Sequence, residues 1–598
     1  MTIFCGVLRL DGQSVSREKL EACRFVSPKW VPDHQAIFTD QNLGIVSTQR
    51  FVTPECARAS MPYRHEASGC VLVGDLYLTH RLGLIFELGV DENLADAELV
   101  VLAYLKWGPD FSLHLFGSFV GVIWDPRVQS LFLLMDHFGT KPCLYSYQEG
   151  QYFIFSNHMA PFRVLCPQLT RNDHMFKHFA LDSLPDEETC YIEVNKMRPA
   201  TVMQVNLSGL SQTCYWELKQ HRRKLPYRTR AEYYDAFKTL FETVVQGYLR
   251  SSYPIAAHIS GGLDSSSVAS MAAHILDKKN RSLLGFTAVP RGLEGPSYRA
   301  GWQYHEMPIV QAVLDQYPTI EHHVYMGQPD TDMFEVLGEF YDFVDQPYRN
   351  ISNFDWILGS FEWARSQGAR VLLVGQKGNG SISWTGQSKL SLLRQLCGNV
   401  RDWMRPGQLF NGYFDNHNAA FLKTDEAQTT LRKRGVIWDK HYWMLAQSSG
   451  AARQTSTYPL NFWHGVTRLD PTNDVKLLEF CYNVPQWVYQ SGREKKERRL
   501  LVREGLAGIV PEAVRFNTER GEQAADWYLQ YNTHYEKWRD QLAAISLKSL
   551  LWQLYDRDKM MALFEPVDML DSAGVQARCH NLMRCISLGF YLSYLESV

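Results

Sequence analysis

The residues from Ile255 to Ser267 read Ile-Ala-Ala-His-Ile-Ser-Gly-Gly-Leu-Asp-Ser-Ser-Ser and join a short apolar strand to a double-glycine turn and then a helix. Adjacent glycines let a backbone approach an anion closely, serine hydroxyls add donors, and a helix start aims free N–H groups and its positive dipole end at the same point. The chemistry this serves is the holding of a pyrophosphate. The helix has its own evidence, because Val268, Met271, Ala272 and Ile275 recur at the spacing of one buried face. A plain structural turn is the competing reading, since glycine pairs after strands are common.

The elements around this turn change period near the middle of the chain. Up to about Trp216, short strands with turns dominate: Ile3 to Leu10, Leu43 to Thr48, Cys70 to Tyr77, Phe119 to Trp124, Ser130 to Met135, Tyr152 to Ser156 and Ala200 to Val205, with Asp96 to Trp107 the clearest helix. After Ala231, strands such as Leu283 to Val289 and Arg370 to Val374 alternate with helices, which predicts a parallel sheet with its ligand at the carboxyl ends. The chain has 598 residues, enough for at least two domains. The segment at about 389–459 is expected as a substrate-facing insertion or a helical elaboration.

A net charge of -3 with 21% charged residues gives no footprint for nucleic acid or for an anionic membrane. The twelve cysteines include no Cys-x-x-Cys pair, which argues against structural zinc and a disulfide framework and fits a reducing cytoplasm. Neither a secretory h-region nor a long apolar run is present.

Ser-Gly-Gly-Leu-Asp-Ser-Ser resembles the signature of the PP-loop ATP pyrophosphatases, in which ATP is split between its α and β phosphates to activate a carboxylate as an acyl-adenylate. Asp264 then supplies a carboxylate for the magnesium of Mg-ATP. No Gly-Lys-Ser/Thr follows, so this is not a Walker loop. Over nearly its whole length the chain resembles the asparagine synthetase family. Gly74-Asp75-Leu76-Tyr77, Asp96-Ala97-Glu98, Asp136 to Pro142 and Tyr215-Trp216 carry the likeness in the first half. Gly375-Gln376-Lys377-Gly378-Asn379, Arg468 and Arg499 to Glu504 carry it in the second. The resemblance implies a two-domain protein of α/β and α+β class. Residues 1–215 would form an Ntn-hydrolase-like, β-rich sandwich of glutamine amidotransferase type. Residues 216–598 would form a parallel-sheet adenylating domain of the adenine nucleotide α-hydrolase-like type.

Departures from the family narrow the expectation. An N-terminal cysteine normally hydrolyses glutamine with its own α-amine as base, but here Cys5 is the fifth residue, Asn42 replaces the glutamine-binding arginine and Val73 replaces the oxyanion-hole asparagine. Cys5 reads instead as a small buried hydrophobe. The loop that usually holds a catalytic glutamate and a second magnesium carboxylate has the amides Gln376 and Asn379, so Gln376 cannot act as a base and Asn379 offers only a neutral oxygen. β-Lactam synthetases carry a tyrosine at the position of Gln376. A peptide α-amine has a pKa of roughly 7.7 to 8.0, is partly neutral at pH 7 and needs little help from a base.

Gly375 to Trp384 and Arg520 to Trp527 look like the lasso peptide cyclases, which activate a side-chain carboxylate and close it onto the peptide's own N-terminus. Arg520 to Trp527 also reads as a loop entering a helix at Asp526. By this resemblance Ser260, Gly261, Gly262, Leu263, Asp264, Ser265 and Ser266 would hold the pyrophosphate, and His258, Ala288 and Gly375 would line the nucleotide pocket. Asp264 and Asn379 would face magnesium, while Gln376 and Lys377 would face the adenylate. Arg499 would steady the intermediate by neutralising oxyanion and phosphate, although a one-residue slip would nominate Arg498. The other cations of that run, Arg493, Lys495, Lys496 and Arg498, read as a solvated face. A leader-free core peptide is the implied substrate, with a leader protease and a leader-binding protein as partners. An amide synthase using ammonia or a small amine and a catalytically inactive scaffold remain the alternatives.

Overall fold

The structure, a computed structural model, describes residues 1–181, 186–294, 297, 301–386, 439–446, 458–492, 494–567 and 573–598. In the first half two six-stranded antiparallel sheets face one another. One has the order 195–196, 144–148, 152–156, 2–9, 43–49, 34–40, and the other 209–214, 201–206, 130–135, 116–125, 71–79, 63–64. The strand Thr2–Arg9 shows why they stack. Phe4 and Leu8 point into the core shared with Leu72, Val122 and Leu133 of the second sheet, while Cys5 and Val7 point to a second core on the opposite face. Both faces are therefore buried, which explains the nearly unbroken apolar run at this strand.

The second half holds a five-stranded sheet in the order 320–325, 283–288, 255–258, 371–373, 467–469, parallel throughout. Alternate residues of its central strands feed different cores. Ala256, Leu284 and Leu372 join one, whereas Ile255, Ala257, Leu283, Val371 and Leu373 join the other. Helices Arg230–Tyr248, Leu263–Asp277, Met307–Gln316 and Phe354–Ser366 cover it. The first starts at a capping box in which Thr229 and Glu232 satisfy each other's backbone donors, and it buries Phe237, Phe241, Val244 and Val245.

Polar ties join the halves. Tyr77 donates its hydroxyl to the carbonyls of Tyr248 and Arg250 at 2.9 and 3.0 Å, and a buried ion pair of 2.6 Å links Lys196 to Asp345. The expected helix Asp96–Trp107 is present with those bounds. Strands His34–Asp40, Leu144–Gln148 and Gly209–Cys214 escape the sequence reading because polar residues break their apolar pattern. Of the segment 389–459, only residues 439–446 and 458–459 fall among the described residues, and Arg493 lies outside them.

Candidate active site

The strand Ile255–His258 occupies the centre of the parallel sheet, and the helix Leu263–Asp277 begins five residues after its end. Gly262 stands at the helix N-cap with extended backbone and no side-chain cap, and it is exposed. The first-turn N–H groups are thus open to an anion. The Ser260 hydroxyl lies 2.7 Å from that of Ser265 and accepts the Gly262 N–H at 3.1 Å, so two of the expected hydroxyl donors stand together at the turn. Ser266 differs from expectation. It is fully buried and donates to the Ser260 carbonyl, which makes it a brace of the turn.

Two residues that sequence reasoning missed grip the same turn. The Glu306 carboxylate accepts backbone N–H groups from Gly261 and Gly521, and Asn517 donates its side-chain amide to the Gly261 carbonyl at 3.0 Å. A Cβ on Gly261 would lie 2.8 Å from Glu306 Oε1, so a side chain there would push that carboxylate from its place. No motif marks Glu306, which precedes the helix Met307–Gln316 by one residue.

The loop 375–380 lies directly on the helix start. A Cβ on Gly375 would come within 2.6 Å of the Asp264 carbonyl carbon, and one on Gly378 within 2.3 Å of the Asp264 side chain. Each position admits only glycine because of this packing, not because of a positive φ. Asp470 anchors the loop by accepting the Lys377 N–H at 2.9 Å while its other oxygen accepts the Thr472 N–H and hydroxyl. The Lys377 ammonium donates to the carbonyls of Met444 and Leu445 at 2.9 and 2.5 Å. The expectation that Lys377 faces an adenylate therefore needs correction, because its charge is engaged by the end of the helix Lys440–Ala446, a favourable partner for a cation.

Both loop amides face guanidinium groups. Arg468 donates to Gln376 Oε1, and Arg499 donates to Asn379 Oδ1 at a long 3.4 Å. This engagement, added to its neutral charge, makes Asn379 a weak partner for a metal. Arg499 carries a left-handed backbone with φ 61°, a conformation that costs a residue with a Cβ about 1 kcal/mol or more. The Arg498 backbone pairs in an isolated bridge with Gln490, and its carbonyl accepts from Arg503.

Electrostatics converge on Asp264. Burial pushes its pKa up to about 6, the Arg499 cation and a Ser383 hydrogen bond pull it back, and the Asp470 charge adds to the rise. Its Oδ1 is buried without a hydrogen-bond partner. An orphaned carboxylate oxygen beside a second carboxylate suits a hard divalent cation, and Asp264 is the residue that would hold magnesium. Burial raises the pKa of Asp470 also. His258, at the carboxyl end of its strand between Phe286 and Trp356, is pushed down by burial to about 3 and is neutral at pH 7. Ala288 ends the neighbouring strand and is exposed.

Arg520–Gly521 forms a short parallel pair with Trp302–Gln303, and Asp526 stands at the N-cap of the helix Trp527–Ala543. The segment is thus the loop entering a helix at Asp526 that the sequence pattern allowed.

The expected glutaminase residues do not assemble. Cys5 is 1% exposed in the middle of a strand paired on both sides, opposite Val46 and Ser156. Its neighbour Cys23 and burial hold the thiol well above the usual range, so it supplies little nucleophilic thiolate. Asn42 donates to the Arg9 carbonyl at 2.7 Å, and Val73 is fully buried. Asp75 has become a junction, pairing with Lys141 at 2.9 Å and accepting the Tyr458 hydroxyl at 2.6 Å.

Comparison with known proteins agrees with this geometry. The glutamine amidotransferase domain family model matches residues 4–216, and the asparagine synthase model matches residues 236–588. The chain belongs to the asparagine synthase family. Among similar members, asparagine synthetase (glutamine-hydrolyzing) 3 of Bacillus subtilis is 21% identical over 89% of this chain and 87% of its own length. A protein of Methanocaldococcus jannaschii named as an asparagine synthetase is 26% identical over 47% of this chain, which spans 52% of that relative. The amidase chry2 of Gibberella zeae is 27% identical over 45% of this chain and 41% of its own. No described helix is long and apolar enough to cross a membrane.

Proposed function

We propose that this asparagine synthase family member is a peptide cyclase of the lasso type. It would adenylate an Asp or Glu side chain of a leader-free core peptide and join it to the peptide's N-terminal amine. The observation that carries the reading is the contrast between the two halves: one holds a turn with open donors, and in the other the Cys5 thiol is enclosed. An amide ligase without its own ammonia takes an amine from the substrate.

In the first half-reaction a carboxylate oxygen of the peptide attacks the α-phosphorus of ATP, and the bond to the β,γ unit breaks to release pyrophosphate. The open first turn of the helix Leu263–Asp277 would receive the departing charge. In the second the peptide amine attacks the acyl carbon, AMP leaves and the amine's proton passes to solvent. Arg499, coupled to Asp264 and adjacent to Asn379, is the cation placed to steady negative charge in both steps. Gln376, held by Arg468, would present its amide N–H to the substrate. Magnesium bound at Asp264 would screen the triphosphate. Cytoplasmic conditions suit free thiols such as those of Cys5, Cys56 and Cys214. A leader protease and a leader-binding protein would supply the peptide.

Incubation with Mg-ATP and a peptide bearing a free N-terminus and an internal carboxylate should give a product lighter by one water, with AMP and pyrophosphate. An N-acetylated peptide should support ATP–pyrophosphate exchange but not cyclisation. Conversion of aspartate with ammonia, but not of the peptide, would favour the amide synthase reading. Absence of exchange with every carboxylate tried would favour the scaffold, which the replacement of both loop carboxylates by Gln376 and Asn379 supports.

A further inference from the structure

The parallel strands Val371–Leu373 and Thr467–Leu469 end at the nucleotide turn, and their opposite ends start at the seam with the N-terminal domain. Basic side chains from both halves meet at that seam. Arg50 follows the strand Leu43–Gln49 of the first domain and lies over the Trp30 ring, 5.2 Å from its centroid. Arg365 stands in the last turn of the helix Phe354–Ser366 and reaches the Lys29 carbonyl at 3.4 Å. His464 ends the helix Tyr458–His464. The next residue, Gly465, has a φ of +65°, and a Cβ there would lie 2.5 Å from Arg50 Nη1, so the glycine lets the chain close onto that guanidinium.

What these groups lack is an acceptor. Arg50 Nε, Arg365 Nε and both ring nitrogens of His464 are buried with no hydrogen-bond partner, and His464 is only 1% exposed. Arg50 repels Arg365 and Arg370, and His464 faces Arg365 and Lys29. The acidic group facing Arg50, Asp33, is engaged by Arg370 and by the Phe51 N–H. Among the described residues Arg50 and Arg365 have no carboxylate at ion-pair distance. Leaving several buried donors unsatisfied in a repulsive cluster is unfavourable unless something with oxygen acceptors and negative charge completes it.

We infer that Arg50, Arg365 and His464, with Lys29 at the rim, form an anion-binding site for a phosphate-class oxyanion that ties the two domains together. A tetrahedral oxyanion offers several acceptors to two planar guanidinium forks and one imidazole N–H, the geometry at which arginine binds best. The site lies at the end of the sheet opposite the ATP turn, so it is separate from pyrophosphate release.

The test is the thermal unfolding midpoint of the full chain in inorganic phosphate, compared with chloride at equal ionic strength, with pyrophosphate as a second arm. The midpoint should rise with phosphate concentration as expected for a ligand of the folded state. Arg50→Gln and Arg365→Gln should each lose that rise, corresponding to affinity weaker by about tenfold or more. Gly378→Ala, which blocks the nucleotide site, should keep it. Arg365→Gln should leave ATP–pyrophosphate exchange unchanged, and it carries the test alone if Arg50→Gln does not fold. A rise with pyrophosphate only would assign the site to that anion. The inference is overturned by no rise in the parent with either anion, by a rise that survives in Arg365→Gln, or by one lost only in Gly378→Ala.

Discussion

The Glu306 carboxylate accepts the backbone N–H of Gly261, inside the turn built to receive a pyrophosphate. With Asn517 on the Gly261 carbonyl, both backbone polar groups of that residue are fixed before any ligand arrives. Order of this kind removes an entropic cost from binding. Glu306→Ala should therefore raise the KM for ATP by about tenfold with a smaller change in kcat, and lower stability by about 1 kcal/mol. A KM unchanged within error in a folded variant would refute the positioning role.

Asp264 has a pKa raised to about 6, so in the metal-free protein its protonated form is favoured relative to the unfolded chain. Its contribution to stability is full below the unfolded value near 3.9 and is lost as pH rises through about 6. Asp264→Asn should abolish turnover yet unfold no more easily than the parent in metal-free buffer at pH 8, with a gain on the order of 1 kcal/mol. Magnesium needs the ionised form, so the concentration for half-maximal exchange should climb as pH falls below about 6. Normal activity in Asp264→Asn, or a magnesium requirement flat with pH, would contradict the assignment.

The glycines of the loop 375–380 and its lysine separate packing from chemistry. Gly378→Ala places a methyl 2.3 Å from the Asp264 side chain, and adenylation should be lost by ATP–pyrophosphate exchange. Lys377→Met removes an ammonium from two helix-end carbonyls. It should cost about 1–3 kcal/mol of stability, read by denaturant midpoint. Exchange should fall only as far as the loop loosens. A thousandfold loss at unchanged stability would return Lys377 to the chemistry.

These contrasts show what could be read in the chain and why. The Ser260 to Ser266 turn was legible because close approach, a helix start and a short strand each leave a local signature at fixed spacing. The departures at Cys5, Asn42 and Val73 were legible as changes of residue type, and burial within paired strands gives them their physical sense. Glu306, Asn517 and Asp470 were not. They reach the site from loops far apart in sequence, and an acid before a helix or an Asp-Pro-Thr turn looks like ordinary capping. The direction of the Lys377 ammonium was likewise hidden, because it depends on where the helix Lys440–Ala446 ends. Strand His34–Asp40 was missed because its residues are only half-buried and lack a clean alternation.

Cys5 should behave as a core residue. Cys5→Ala removes a buried sulfur packed beside Cys23 and should lower stability by about 1 kcal/mol. Glutamate release from glutamine should be the same in the parent and the variant. Hydrolysis that depends on Cys5 would show that the enclosed thiol opens to substrate.

Arg499 and Arg498 are neighbours in sequence with different surroundings, which makes them a matched pair. Arg499 faces Asn379 and is coupled to Asp264, and its strained backbone is retained at the mouth of the nucleotide site. Strain persists where the surrounding structure over-determines it, and removing the side chain removes the charge without relieving the turn. Arg499→Ala should slow both adenylation and amide formation, by about 2.7 to 4 kcal/mol if it acts as one preorganised donor. Arg499→Lys should recover part of the rate, since a point charge remains but the fork is lost. Arg498→Ala should stay within a few-fold of the parent. Single-turnover measurement of AMP formation and of ring closure checks each half separately. A variant at Arg498 that is the slower of the two would move the transition-state role by one residue.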